Sequence, residues 1–183
     1  MKKESTGKYV FRLAFTLFAI TSVVACCLAA VNGITAPKIE AARQEKAQKA
    51  IEAVLPGGGE PVEQYEDPTG MVSRVYASPA GYAMEVSPAG FGGPITMMVG
   101  VSRDGEVLGI SVVSQTETAG LGAVAAARTS AGEGFRSQFA GLSGSLSVTK
   151  DGGTVDAITG ATITSRAVTA GVNAALQCAA AME

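Results

Sequence analysis

A short stretch near the C-terminus, DAITGATITS (156–165), combines an acid, a Gly-Ala pair and four hydroxyl side chains. A helical pattern runs from Ile163 to Met182, so the stretch lies at a predicted helix start. Backbone N–H groups at a helix N-terminus bind anions, and glycine lets a ligand approach closely. The residues alone leave two interpretations open: an anion site, or a helix cap in which Thr162, Thr164 or Ser165 accepts from the first N–H groups.

Several common chemistries lack their residues in this sequence. The stretch fits neither the nucleotide phosphate loop GxxxxGK[ST] nor the dinucleotide fingerprint GxGxxG. The chain has no histidine, which excludes a Ser-His-Asp triad and imidazole metal ligands. Its three cysteines form no CxxC pair for zinc or an iron–sulfur cluster. Redox chemistry would therefore need an organic cofactor, and a net charge of −2 without a basic patch argues against nucleic acid as a partner.

The first part of the chain is predicted to anchor in a membrane. No charged residue occurs from Leu13 to Val31, a length of roughly 29 Å as a helix and close to the hydrocarbon thickness of a bilayer. Lysine and arginine precede it, so the positive-inside rule predicts a cytoplasmic N-terminus (1–12), a transmembrane helix (13–31) and an outer remainder. A cleaved signal peptide, or a lipidated N-terminus at Cys26, is the alternative.

Beyond the anchor, the pattern predicts a stalk helix and then an α+β domain. Pro37 suits the first position of a helix, and apolar residues recur at helical spacing as far as Leu55, so the stalk is predicted over 37–55. Segments with a period of two predict strands over residues 72–76, 81–86, 94–102 and 106–114, with Asp104-Gly105 as a hairpin turn. Further predictions are a partial helix over 124–139 and a second hairpin of segments 146–149 and 155–158. Residues 60–183 should therefore form a mostly antiparallel sheet packed with helices.

The residues DAITGAT (156–162) resemble the flavin-attachment motif Asp-x-x-Ser/Thr-Gly-Ala-Thr of the FMN-binding domain family. The anchor, the stalk, GFGGPITMMVGV (90–101) and ETAGLGA (117–123) also follow the order found in the G subunits of Rnf complexes, and the resemblance covers residues 9–180. That family usually has Glu-Thr-Pro-Gly-Leu-Gly in the second segment. Ala119 replaces the proline here, which should loosen the loop slightly.

The resemblance implies an FMN group joined by a phosphoester to Thr162, installed by a flavin transferase that uses FAD and a divalent metal. It further implies cofactor-binding roles for neighbours in the motif and for residues of the glycine-rich loop, namely Thr159, Gly160, Ala161, Glu117, Thr118, Leu121 and Gly122. For Asp156 two hypotheses stand: it helps the transferase hold the segment or its metal, or it bonds its own backbone in a turn. Met97 and Met98 are predicted to be core residues.

The function implied by the resemblance is electron transfer within an ion-translocating ferredoxin:NAD oxidoreductase, without catalysis by this chain alone. The implied partners are the other Rnf subunits, the flavin transferase during maturation and the lipid bilayer. The implied location is the inner membrane of a bacterial cell, with the FMN domain outside the cytoplasm. Three alternatives stay open: the covalent-FMN subunit of the sodium-pumping NADH:quinone reductase, a stand-alone membrane-anchored flavoprotein for extracellular electron transfer, and a non-redox anchor or assembly protein.

Overall fold

The computed structural model describes residues 6–182, so Lys2 and Lys3, on which the predicted orientation partly rests, lie outside the described residues. The chain divides into two compact units, one up to Glu45 and one from Lys46 onwards. In the described range the helices are α1 (Thr6–Val54), α2 (Ser130–Ser137) and α3 (Thr162–Ala181). The strands are β1 (Glu60–Val62), β2 (Val72–Ser78), β3 (Gly81–Val86), β4 (Thr96–Ser102) and β5 (Val107–Ser114). Two 3₁₀ helices occupy Gly122–Ala126 and Thr149–Asp151.

Helix α1 is one continuous helix with Pro37 in its interior. The prediction that a separate stalk helix begins at Pro37 is therefore wrong. Proline removes one helical hydrogen bond and crowds the carbonyl four residues earlier, at a cost of about 3 kcal/mol. The residues that follow, from Lys38 to Val54, are mostly strong helix formers, which offsets that cost. The assignment of residues 13–31 to a membrane and of 37–55 to a stalk stays a prediction.

The apolar part of α1 is long enough and apolar enough to cross a membrane. One 18-residue window has a mean hydropathy of 2.3, and none of that window is buried. Large apolar side chains are exposed on every side of the helix, among them Phe11, Phe15, Leu17, Phe18, Ile20, Val23, Val24 and Leu28. A helix that is apolar all round needs an apolar environment, and a lipid bilayer supplies one.

The sheet of the second unit is an antiparallel meander in the order β1-β2-β3-β4-β5. The predicted hairpin turn at Asp104-Gly105 is confirmed, because the Gly105 N–H donates to the Ser102 carbonyl at 3.2 Å. Strands β2 to β5 match the predicted segments. Strand β1 was not predicted, since its three residues are too short to show a period. The α+β prediction with a mostly antiparallel sheet is confirmed.

Both faces of the sheet are covered, and the alternation along β3 and β4 shows how. Tyr82, Met84 and Val86 of β3 point into the main core, together with Met97 and Val99 of β4 and buried residues of α2 and α3. The residues between them, Ala83 and Met98, point the other way and pack against the end of α1, at Ala50, Ile51, Val54 and Leu55. Met97 and Met98 are both core residues, as predicted. The period of two thus divides one strand between two apolar layers.

The second predicted hairpin, over 146–149 and 155–158, is wrong. These segments form one isolated bridge between Val148 and Val155, and the 3₁₀ helix Thr149–Asp151 follows directly after Val148. Val148 and Val155 are both fully buried, so they give the apolar signal of a strand without forming one. This short compact turn lies in the sequence just before the segment that leads into α3.

Candidate functional site

A cavity of about 320 Å³ opens where the start of α3 faces the loop that follows β5. One wall is the turn into α3 and its first residues, Gly160 to Thr164, and the other contains Glu117, Thr118, Leu121 and Gly122. Phe91, from the connection between β3 and β4, completes the lining. The volume lies within the range of about 300–1,000 Å³ that small-molecule and cofactor sites occupy.

The start of α3 has no side-chain cap among the described residues. The helix follows Ala161, and its first intrahelical bond runs from the Ser165 N–H to the Ala161 carbonyl at 3.0 Å. Ser165 does not cap, because its hydroxyl donates to the Ala161 carbonyl and accepts from the Ile158 N–H. The capping interpretation of the hydroxyl-rich stretch is therefore wrong. The N–H groups at the start of a 20-residue helix are left without a side-chain partner in the described part of the chain, beside the cavity.

The backbone conformation explains why glycine precedes Ala161 in the Gly-Ala pair. Gly160 has φ 77°, in the left-handed region that favours glycine. The Ala161 N–H donates to the Ile158 carbonyl at 2.9 Å, so Gly160 is the third residue of a tight turn that leads directly into α3. A Cβ at position 160 would also lie 3.0 Å from the Leu121 Cδ2 atom, so the absence of a side chain lets the two walls of the cavity approach each other.

Glu117 ties the loop to the rest of the domain. Its side chain is only 8% exposed, and its Oε1 accepts from the Gly92 N–H at 2.8 Å. Its Oε2 accepts from the hydroxyl of Thr164, which is 2% exposed. A Cβ on Gly122 would collide with the Glu117 Oε2 atom and with the Thr164 Oγ1 atom, so glycine is required for the close approach. The Glu117 carboxylate thus joins three segments that line the cavity.

Thr162 is the first residue of α3, and its side chain is partly exposed at the cavity. Its Oγ1 accepts a hydrogen bond from the Lys150 ammonium at 3.0 Å. The residue after Lys150, Asp151, forms a two-bond ion pair with Arg166, with distances of 2.6 and 2.7 Å. Hydrogen bonding to Arg166 lowers the pKa of the Asp151 carboxyl below its usual value. Lys150 and this ion pair were not singled out from the sequence.

Most residues that the sequence predicted for the site line this cavity: Glu117, Thr118, Leu121, Gly122, Gly160, Ala161 and Thr162. Asp156 and Thr159 do not line it. They line a neighbouring cavity of about 380 Å³, on the side of Gln138 and Phe135. The Asp156 backbone exchanges two hydrogen bonds with the Gln138 side chain. In the described part of the chain the Asp156 carboxylate accepts no bond from its own backbone, so the turn hypothesis for this residue is not supported.

Three residues that line the cavity were not predicted: Phe91, Ile163 and Thr164. Phe91 is 69% exposed and Ile163 is also exposed. A large apolar side chain in water is unfavourable unless something covers it, but neither exposure can be seen in a sequence. A partial signal existed for Ile163, which lies outside the apolar stripe that starts at Val168. Thr164 gave no separate signal, because it is one of several hydroxyls in a row.

Comparison with known protein families identifies residues 90–177 as an FMN-binding domain. A relative from Acetobacterium woodii, the G subunit of its Na⁺-translocating ferredoxin:NAD⁺ oxidoreductase complex, is 33% identical, over 96% of this chain and 94% of the relative. This chain belongs to the family of Rnf G subunits. Another Rnf relative, the G subunit of the proton-translocating ferredoxin:NAD⁺ oxidoreductase complex of Clostridium ljungdahlii, is 33% identical over 97% of this chain and 95% of its own length. The G subunit of the ion-translocating oxidoreductase complex of Methanosarcina acetivorans is 31% identical over 98% and 99%.

The matched FMN-binding domain of this Rnf family member includes both walls of the cavity. The lining suits a flavin nucleotide in chemical character. The N–H groups at the start of α3, which have no side-chain partner among the described residues, fit a phosphate, and Phe91, Leu121 and Ile163 offer apolar surface to a flat ring. Membership in the Rnf family and the exposed apolar helix α1 together indicate association with a membrane.

Proposed function

We propose that this chain carries electrons within an ion-translocating ferredoxin:NAD oxidoreductase, with FMN joined covalently to Thr162. The observation that supports this most is the position of Thr162. Thr162 lines the cavity with a partly exposed side chain, it is the first residue of a helix that has no side-chain cap within residues 6–182, and it belongs to a domain of the FMN-binding family. When bound, FMN supplies one-electron chemistry that no side chain of this protein provides.

The phosphate end of the cofactor would be held by α3. Once Thr162 carries a phosphodiester, the N–H groups of the first turn and the positive end of the helix dipole favour its negative charge. Thr162 is modified through transfer from FAD. Its Oγ1 attacks the phosphorus on the flavin side, the Oγ1–P bond forms, the pyrophosphate P–O bond breaks, and AMP leaves. The hydroxyl proton passes to a base of the transferase.

The flavin ring would be held by the opposite wall. Leu121 and Phe91 present apolar surface, and Thr118 offers a hydroxyl at the same wall. Glu117 keeps that wall in place, because its carboxylate bonds to Gly92 and Thr164. The protein thus orients the group and limits water around it.

Asp156 is proposed to act during maturation only. Its side chain is exposed, and it lines the neighbouring cavity together with Ile158 and Thr159, the first two residues of the turn that leads to Thr162. An exposed carboxylate there suits the divalent metal of the transferase. We further propose that α1 crosses the inner membrane of a bacterial cell with residues 1–12 in the cytoplasm, which places the FMN domain on the outer side.

The complex is proposed from the names of the relatives, which describe ferredoxin:NAD⁺ oxidoreductase subunits in Acetobacterium woodii and Clostridium ljungdahlii. These names favour this complex over the sodium-pumping NADH:quinone reductase and over a stand-alone flavoprotein. Affinity purification of the tagged chain from native membranes distinguishes the three. Co-purification of integral membrane subunits with ferredoxin:NAD activity supports the proposal, and isolation of the chain alone contradicts it.

The first experiment is peptide mass spectrometry of the protein from its native membrane, beside Thr162→Ala and Thr162→Ser variants. We expect a mass gain of one FMN less one water on the Thr162 peptide, its absence in the alanine variant and its retention in the serine variant. Thr154→Ala is the matched control, since Thr154 is an exposed threonine that lies just before the attachment motif and lines neither cavity. An unmodified Thr162 peptide from cells that contain the transferase would contradict covalent attachment.

A further inference from the structure

The hydroxyl proposed for flavin attachment is in contact with a cation from another segment. The Lys150 ammonium donates to the Thr162 Oγ1 at 3.0 Å, across 12 residues of sequence. Because the bond occupies a lone pair of the oxygen, the hydroxyl proton is directed away from Lys150. An ammonium beside a hydroxyl oxygen also stabilises negative charge that develops on that oxygen.

The segment that carries Lys150 is held against α3. Asp151 binds Arg166 through two hydrogen bonds, and Arg166 lies four residues after Thr162, on the same face of the helix. The two anchor points, at Thr162 and at Arg166, therefore fix the 3₁₀ helix Thr149–Asp151 along the first turn of α3.

The charges around Thr162 do not cancel. Arg166 is paired with Asp151, and Glu117 is buried and bonded to Gly92 and Thr164. Within residues 6–182, the charged group bonded to the Thr162 side chain is Lys150. Its positive charge is therefore available to a phosphoryl group that arrives at Oγ1.

We propose that Lys150 promotes the attachment of FMN to Thr162 and then neutralises the phosphodiester. This inference rests on the proposed function. While Oγ1 attacks phosphorus and AMP leaves, the ammonium stabilises the oxygen as its proton departs to the transferase. It then faces a diester that carries one negative charge. Lys150 itself forms and breaks no covalent bond.

The test is the rate at which purified flavin transferase, with FAD and Mg²⁺, labels the full-length chain in detergent. The variants are Lys150→Gln, Lys150→Arg and, as a charge-matched control, Arg74→Gln. Arg74 is an exposed residue of β2 whose guanidinium lies 3.9 Å from the Glu85 carboxylate, away from the cavity. Labelled Thr162 peptide is quantified by mass spectrometry over time, at several acceptor concentrations and at low and high salt.

We expect Lys150→Gln to lower kcat about tenfold or more, because a charge-assisted hydrogen bond to the reacting oxygen is lost. KM for the acceptor should change little. Lys150→Arg should restore most of the rate, and Arg74→Gln should match the unaltered protein. The thermal unfolding midpoint of Lys150→Gln should change little, because Lys150 is exposed and the Asp151–Arg166 ion pair still holds the 3₁₀ helix against α3.

Three results would overturn the inference. If Lys150→Gln is labelled at the normal rate, the hydrogen bond has no role in attachment. If only KM rises, Lys150 is a docking contact for the transferase and not a partner of Oγ1. In both cases labelling of the unaltered chain still supports the proposed function. If the unaltered chain itself is not labelled by an active transferase, the proposed function and this inference fail together.

Discussion

Thr162 and Thr164 are two residues apart on the same helix, yet their hydroxyls are in opposite situations. Thr164 is buried and donates to the Glu117 carboxylate, so modification there would break the bond that holds the loop. Thr162 is partly exposed and accepts from Lys150. Side chains two residues apart on a helix project in different directions, so these two hydroxyls meet different partners although both residues line the cavity. The structure thus gives a physical reason why the first of these threonines, and not the second, is the proposed attachment residue.

Cys178 should make stability fall at high pH. It is fully buried in α3, and burial, with a smaller effect from the charge of Asp67, raises the pKa of its thiol to about 11, from an ordinary value of 9.0. Between these two pH values the unfolded chain has lost a proton that the folded chain keeps. The free energy of unfolding should therefore be unaffected below about pH 9 and should fall as pH rises towards 11.

Urea unfolding between pH 7 and 11 checks this, with Cys178→Ala as the comparison. The alanine variant should show a shallower loss of stability above pH 9, and Cys178 of the unaltered native protein should resist thiol reagents at pH 8, unlike the exposed Cys26 and Cys27. Equal slopes for the two proteins would contradict the assignment.

At the scale of elements, the loop between β5 and the first 3₁₀ helix contains a type II turn. The Leu121 N–H donates to the Thr118 carbonyl at 3.1 Å, and Gly120, the third residue of the turn, has φ 76°. Ala119 has a negative φ, because every residue with positive φ in the described chain is glycine. The second position of a type II turn is where proline is favoured. Ala119 therefore occupies a position that suits the proline usual in the family.

We expect Ala119→Pro to stabilise the domain by about 0.4–1 kcal/mol, because proline restricts the unfolded chain and suits this turn position. Chemical denaturation measures the gain. Gly120→Ala is the contrasting variant and should destabilise, because alanine disfavours a positive φ. A lower stability of Ala119→Pro would show that the loop does not keep this turn in solution.

Elements with a clear period were predictable, and elements set by their surroundings were not. β3 and β4 alternate between two apolar layers, and the Asp-Gly turn between β4 and β5 has its own sequence signal. Pro37 led to the wrong prediction of a helix start, because proline is rare inside helices but α1 continues through it. Val148 and Val155 also misled, because burial alone makes them apolar. The glycine-rich loop was predicted for the site by resemblance. The positions of Phe91 in the cavity lining and of Lys150 beside Thr162 depend on contacts that only the folded chain reveals.

At the scale of the whole molecule, the end of α1 belongs to the core of the second unit. Ile51, Val54 and Leu55 are buried against Ala83 and Met98, on the face of the sheet opposite the main core. Residues from Lys46 onwards form one compact unit. This unit therefore includes the last turns of a helix that the sequence assigned to a separate stalk.

A chain that starts at Lys46 should be soluble, fold cooperatively and accept FMN from the transferase. A chain that starts at Gly57 loses the buried side chains of α1, which should cost about 5 kcal/mol or more and lead to aggregation. Circular dichroism, urea unfolding and flavin labelling compare the two. If the chain that starts at Lys46 is unfolded while the full-length protein in detergent is folded, the second unit depends on the apolar helix for its stability.

The position of Thr162 at the very start of α3 limits the range of positions that a group bonded to its side chain can reach. Thr162 is β-branched, so its side chain has few rotational states, and no flexible residues separate it from a helix buried along its length. The attachment point of a prosthetic group bonded there would move little, in contrast to a group attached through a long flexible linker. Electron exchange with neighbouring subunits would then depend on the neighbours, or the whole domain, moving into range. The pace of such a relay would be set by docking between rigid bodies and not by diffusion of the flavin.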